Sequence, residues 1–298
     1  MTRAKVPVEP GIVERASAIE DDDTWASSGL RTRRIRRRIL LNVCRLALVV
    51  LALGSWEAGV NTKHIDPFFW GQPSGVYKQL KTWITQGTAQ GSLIQQILVT
   101  LQEAVYGFLI GVALGVVLGI ALGRNRFLSD LLSPFIKIAN SIPRIVLGAL
   151  FSIAFGFGLT SKVVLAVVLV FFGVFFNAFQ GTREVDRNLL SNARILGASR
   201  WQTTRHVVLP SAFTWILASL HISFGFALIG AVVGELLGAD KGMGLLIRNA
   251  QNNFNPNGVL AGMVVIGAIA LIAEGLITAL EKRLLRWRPP QMGGDAGI

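Results

Sequence analysis

Residues 100–123 read TLQEAVYGFLIGVALGVVLGIALG, an apolar run with one carboxylate near its start and none after it. About 20 mostly apolar residues are enough to cross a bilayer as an α-helix. Gly107, Gly111, Gly115, Gly119 and Gly123 recur at every fourth position, which places them on one helix face. Small residues at that spacing let a second helix approach backbone to backbone inside a membrane. The stretch therefore predicts a spanning helix pressed closely against another.

The rest of the chain agrees. Of its 298 residues, 52% are hydrophobic and 15% charged, more apolar matter than one soluble core of this size uses. Six stretches satisfy the spanning criterion, at about 39–60, 99–122, 134–157, 163–179, 213–237 and 259–280, so the predicted fold is an all-α polytopic membrane protein. The third is interrupted by Lys137 and Arg144, and Pro143 should bend it or mark its true start. Residues 1–38 are polar and basic and read as a disordered tail. Because the first apolar run begins only near Ile39, no cleavable signal peptide is expected. The permease domain would occupy 39–288, with a C-terminal tail at 289–298.

Net charge is +12, but the cations flank apolar runs instead of forming a soluble basic face, which argues against nucleic acid. With the N-terminus inside, 17 Lys and Arg residues fall on the cytoplasmic side and six on the other, the six being Lys63, Lys78, Lys81, Lys162, Lys241 and Arg248. Both termini are therefore expected in the cytoplasm. The single cysteine, Cys44, excludes an intrachain disulfide and a cysteine metal site. In the first external connection, Val76, Leu80, Trp83 and Ile84 follow Pro73 at helical spacing, which predicts a short amphipathic helix at the outer interface.

The longest cytoplasmic connection, 182–212, has structure of its own. Val185, Leu189, Ala193 and Leu196 form an apolar stripe, and Gly197 supplies a left-handed terminator. Ser199 and Gln202 then make the capping box of a second short helix, and Pro210 can open the fifth span. Two helices around a glycine turn also describe a DNA-binding motif, but spans hold this one close to the membrane, where a protein partner is sterically simpler.

The stretch 192–210, NARILGASRWQTTRHVVLP, resembles the EAA loop of binding-protein-dependent ABC permeases. Asn192, Ala193 and Arg194 take the EAA positions, with only the alanine matching, and Gly197 arrives ahead of the strict spacing. The core Leu196, Gly197, Ala198, Ser199, Arg200 and Trp201 is similar to the nitrate, sulfonate and taurine branch, and Leu209 and Pro210 match the closing LP. Residues 133–158 and 232–247 resemble that branch too, so the likeness covers about 80–290. It implies a type I, methionine-importer-like permease core at about 85–285 in a bacterial inner membrane. The loop would be a coupling helix seated in a groove of an ATPase subunit. Two ATPase copies, a second copy of this chain in a homodimer and an extracytoplasmic solute-binding protein would complete the importer. The implied solute is a small anion such as nitrate, a sulfonate or taurine, with thiamine-precursor pyrimidines and aromatic acids as alternatives. ATP and Mg would be used by the partner, since this chain has no G-x-x-x-x-G-K-[ST] phosphate loop; no cofactor and no catalytic residue is assigned to the chain itself.

Ionisable residues within spans are functional candidates by default. Glu57, Glu103 and Glu235 fall toward the outer ends of their spans, where interfacial water solvates a carboxylate. Glu274 lies deeper and reads as a polar contact between helices, as does His221 in the fifth span. Arg144 either attracts an anion on the path or anchors the third span. His64, His206 and His221 show no metal-ligand spacing. A secondary transporter would show paired inverted repeats with broken spans, and a membrane enzyme a cluster of reactive side chains. Neither pattern is visible.

Overall fold

The computed structural model describes residues 36, 37 and 39–284. Apart from Arg36 and Arg37, the basic tail expected over 1–38 lies outside the described residues, as do Arg286, Arg288 and the tail at 289–298. Among the described residues all regular structure is helical, with one isolated bridge between Thr88 and Gly91 at a turn. The chain divides at Ile65 into two units. The first carries α1, Ile39–Asn61, a 23-residue apolar helix that includes the free Cys44.

The second unit begins with a single turn at Pro67–Trp70 and then α2, Pro73–Thr85, the short helix anticipated in the first external connection. Its Trp83 is buried with Leu93, Met243, Leu246 and Ala261, while Ile84 stays exposed. Next comes α3, Leu93–Arg124, opened by a capping box in which the Ser92 hydroxyl accepts from Gln95 N–H. The helix starts six residues before the apolar run does, because Gln95 Oε1 accepts from Ser92 N–H in the cap and the buried Gln96 donates to Gln90 O.

The predicted third span is two helices, α4 (Arg126–Ser141) and α5 (Leu147–Phe155), with one 3-10 turn at Arg144–Val146 leading into the second. They meet at a 73° bend. The break falls where Ile142, the residue before Pro143, is forced to the extended φ −72°, ψ 130°. Then follow α6 (Leu159–Arg183) and α7 (Arg187–Ile195). The eighth helix, α8, runs unbroken over Trp201–Leu237. Pro210 does sit in the first turn of the regular α-helix of the fifth span, Leu209–Leu237, but that helix is joined without a break to an earlier turn. The helix passes through the proline, and the lost proline N–H is accommodated by a π-type turn at Thr204–Val208, where Leu209 N–H reaches back to Thr204 O. After α8 come α9 (Met243–Asn252) and α10 (Pro256–Leu284). Among the described residues five helices, α1, α3, α6, α8 and α10, are long and apolar enough to cross a membrane, and the bent pair α4/α5 makes a sixth when taken as one span.

The glycine stripe of α3 packs on α6. A Cβ added at Gly111, Gly115 or Gly119 would lie 2.8, 2.9 or 2.7 Å from the side chain of Val170, Val174 or Ala178. Gly107 and Gly123 face Ala166 and Thr182 in the same way. The partners on α6 also recur every four residues, so the two ridges run side by side. Behind them Val170, Val174, Phe224, Ala227, Leu228 and Ile269 join α6, α8 and α10 in one apolar core, with Phe108 edge-on to Phe224 at 5.4 Å.

Candidate functional site

Three places gather the residues singled out by the sequence. The first is the connection from α6 to α8. Asp186 caps α7 by accepting from Asn188 N–H at 2.8 Å. At its other end Gly197 takes φ +74°, Gly197 N–H donates to Arg194 O and Ala198 N–H to Ala193 O, each at 3.0 Å. This is a Schellman turn, which only a left-handed residue completes without strain. Two residues on, Ser199 N–H donates to Gln202 Oε1 at 2.8 Å and Gln202 N–H to the Ser199 hydroxyl at 3.2 Å, so α8 begins with a full capping box.

The apolar stripe predicted for this connection splits. Val185 and Ala193 turn inward and are buried, Leu189 is half exposed, and Leu196 is 85% exposed beside Ile195 at 82% and Trp201 at 70%. The reason is the Schellman turn, which ends α7 at Ile195 and swings Leu196 out of the face that carries Ala193. Asn192 is exposed, Ala198 half-buried, Leu209 exposed and Pro210 half-buried. The chain thus presents an apolar knuckle formed by the end of α7, a capped turn at 196–199 and the first residue of a long apolar helix.

The second place lies at the far end of the bundle from that loop. Glu235 is fully buried: its Oε1 accepts from the Thr100 hydroxyl at 2.7 Å and its Oε2 from Gly244 N–H at 2.6 Å. Thr100 Oγ1 in turn accepts from Met243 N–H at 2.8 Å, and Gln96 Oε1 from Gly242 N–H at 2.7 Å. One carboxylate, one hydroxyl and one amide from α3 and α8 therefore satisfy the first N–H groups of α9, whose own Gly242 cap has no side chain to do so. Beside them Glu103 Oε1 pairs with Lys162 Nζ at 3.4 Å, both side chains within 6% of full burial, and Glu103 Oε2 has no hydrogen-bond partner among the described residues.

This corrects three expectations. Glu103 and Glu235 do not reach interfacial water, because α9, absent from the sequence-based prediction, packs across their end of α3 and α8 and seals it. Lys162 does not sit in an outer loop; α6 starts at Leu159 and carries it into the interior, where Glu103 offsets its charge. Arg248 is likewise helical, and its guanidinium donates to Leu236 O and Ala239 O at the end of α8. No local signal pointed to Gln96, Thr100 or Lys162, since their partners are 59 to 146 residues away.

The third place is a groove of about 670 Å³ between α8 and α10. His221 projects from α8 between two carboxylates of α10, with Nδ1 2.6 Å from Glu274 Oε1 and Nε2 2.9 Å from Glu281 Oε2. Glu281 was not among the predicted candidates, although it lies seven residues after Glu274 and hence on the same helix face. Arg144 is not in either cluster: it hydrogen-bonds Asn140 within the bend and places its guanidinium 4.5 Å from the Phe172 ring of α6. Among the described residues no group of three His, Cys, Asp or Glu has the arrangement of a metal site.

With this geometry in hand, likeness to known proteins is specific. The family model for "Binding-protein-dependent transport system inner membrane component" matches residues 111–286. The riboflavin transport system permease protein RibX of Chloroflexus aurantiacus is 35% identical over 80% of this chain and 88% of its own length. The taurine transport system permease protein TauC of Escherichia coli K12 is 31% identical over 87% of this chain and 95% of its own. In fold, the crystal structure of an amino acid ABC transporter with histidines superposes with a TM-score of 0.52 at 20% identity, covering 65% of this chain and 92% of that one.

Proposed function

We propose, from the premise that this chain belongs to the family of binding-protein-dependent transport system inner membrane components, that the knuckle at 192–201 is the point where ATP-driven motion enters the membrane. The chain is a permease subunit of an ABC importer, not an enzyme, and ATP is hydrolysed by a separate subunit. The observation that carries the coupling assignment is the knuckle itself: Ile195 and Leu196 stand exposed at the end of α7 and Trp201 at the start of α8, across a turn closed by the Gly197 hydrogen bonds on one side and the Ser199–Gln202 capping box on the other. Exposed apolar side chains on a polar loop mark a protein contact, and a rigid, capped element transmits a displacement that a slack loop would absorb.

Two ATPase copies, using ATP and Mg, would each receive one such knuckle from a pair of permease chains, identical in the simplest assembly. A soluble binding protein would deliver solute to the opposite face. Both termini and the 182–212 connection then face the cytoplasm, as the excess of cations at that end supports. Residues 39–288 make the permease domain. As for the solute, the sequence resemblance pointed to a small anion. A riboflavin permease at 35% identity alongside a taurine permease at 31% widens that class to small polar organic molecules.

Affinity purification of the tagged chain from native membranes in mild detergent, with mass spectrometry of what travels with it, tests this reading. A P-loop ATPase at near-stoichiometric yield is expected. A chain that purifies alone as a transport-competent oligomer would contradict it and favour a secondary transporter.

A further inference from the structure

The groove between α8 and α10 has the make-up of a solute site. It is lined by Phe224 and Leu271 along its length, it is open where Gly225 and Gly267 carry no side chain, and its polar groups, His221 and Glu274, meet at one end. An apolar trough with a few convergent polar groups, of several hundred cubic ångströms, is the ordinary form of a small-molecule site. His221 is 22% and Glu274 49% exposed, so the carboxylate is held by the imidazole on one side and presented to the groove on the other. Ionisable groups on helices that can cross a membrane face a water-filled path or a protein surface more readily than acyl chains.

The charge of the cluster selects the occupant. Among the described residues His221 is the ion-pair partner of both Glu274 and Glu281. With both carboxylates ionised the cluster carries one net negative charge beside an imidazolium and two beside a neutral imidazole. An anion entering this end meets like charge in a medium of low dielectric, whereas an N–H donor or an ammonium meets an acceptor. The geometry points to the groove as a binding site for an aromatic amine, neutral or cationic, whose ring lies along Phe224 and Leu271 and whose nitrogen donates to Glu274. The inference rests on the importer reading and narrows it, from small polar organic solutes to N–H-bearing aromatic ones.

Isothermal titration of the purified chain in nanodiscs tests it with three ring-sized probes: 4-aminopyrimidine, benzylamine and benzenesulfonate. Saturable binding of both amines and none of benzenesulfonate is expected. Glu274→Gln should weaken benzylamine binding about tenfold or more. Gly267→Leu, at a position where an added Cβ meets nothing within 4 Å, should fill the groove and abolish binding while the elution position stays unchanged. Benzenesulfonate binding as tightly as the amines would overturn the inference. So would absence of amine binding, or unchanged affinity in both variants. If Gly267→Leu instead split a permease dimer on a sizing column, the groove would be a contact between copies and the inference would again fall. Because binding is read on the purified chain, the affinity purification from native membranes tests the importer reading separately: an ATPase absent there would sink that reading and leave the titration result standing.

Discussion

At the residue scale the decisive feature is the buried polar cluster of Glu103, Lys162, Glu235, Thr100 and Gln96. A buried ion pair adds little net stability, yet removing one partner strands the other charge. Lys162→Met is therefore expected to destabilise the protein by about 3–5 kcal/mol. Adding Glu103→Leu should recover most of that loss, a non-additivity that thermal unfolding of the wild type, the two single variants and the double variant in detergent would measure. Glu235→Ala should cost about 2–4 kcal/mol, since it leaves the Thr100 hydroxyl and Gly244 N–H without their acceptor. A shift in unfolding midpoint no larger than that of an exposed substitution would contradict this. None of these pairings was legible in the sequence. A carboxylate near the apparent end of an apolar run looks solvated unless the element that covers it is known, and α9 is only ten residues long and opens on the glycine-rich stretch 237–244. What the sequence did disclose at this scale were contacts within three or four residues, such as the Ser199 and Gln202 box and the Gly197 turn.

At the scale of elements, the α3 glycines were readable because a four-residue period survives any error in helix ends, whereas their partner α6 had to be seen. Glycine at these positions serves proximity, not backbone freedom, and this gives opposite signs at two sites. Gly115→Ala would put a methyl 2.9 Å from Val174 and is expected to destabilise by about 1–3 kcal/mol. Gly275→Ala, where a Cβ meets nothing within 4 Å, should stabilise α10 by up to about 1 kcal/mol. Comparing the thermal midpoints of the two variants checks both signs at once. Helix ends were less readable than helix existence. Pro210 was taken to open the fifth span and does lie in the first turn of its regular α-helix, but a π-type turn extends the helix back to Trp201. The third span was correctly suspected of a bend at Pro143, and its first half begins eight residues earlier than its apolar run because α4 is amphipathic in its opening turns, with Asn125 as cap.

For the whole molecule, apolar runs were enough to predict an all-α polytopic membrane protein, the resemblance of 192–210 to the EAA loop added the permease reading, and membership of the inner membrane component family bears both out. A solvent that excludes backbone polar groups leaves few folds to choose from. The same reasoning could not place Lys162, because a rule about charges beside spans assumes that each charge is outside one. The structure joins the exposed knuckle to α8, and α8 carries His221 and Glu235, so one helix runs from the proposed ATPase contact through both polar clusters. Motion imposed at Leu196 would be felt along that helix. The most direct test is chemical crosslinking from a cysteine placed at the knuckle. Leu196→Cys in a Cys44→Ser background, labelled in native membranes with a maleimide-benzophenone whose photoexcited ketone inserts into a neighbouring C–H bond, is predicted to give a product containing the P-loop ATPase. Phe254→Cys, 74% exposed in the wild type at the opposite end of the bundle, should give none. An ATPase that co-purifies with the chain yet crosslinks to neither cysteine, or only to the one at 254, would contradict the account.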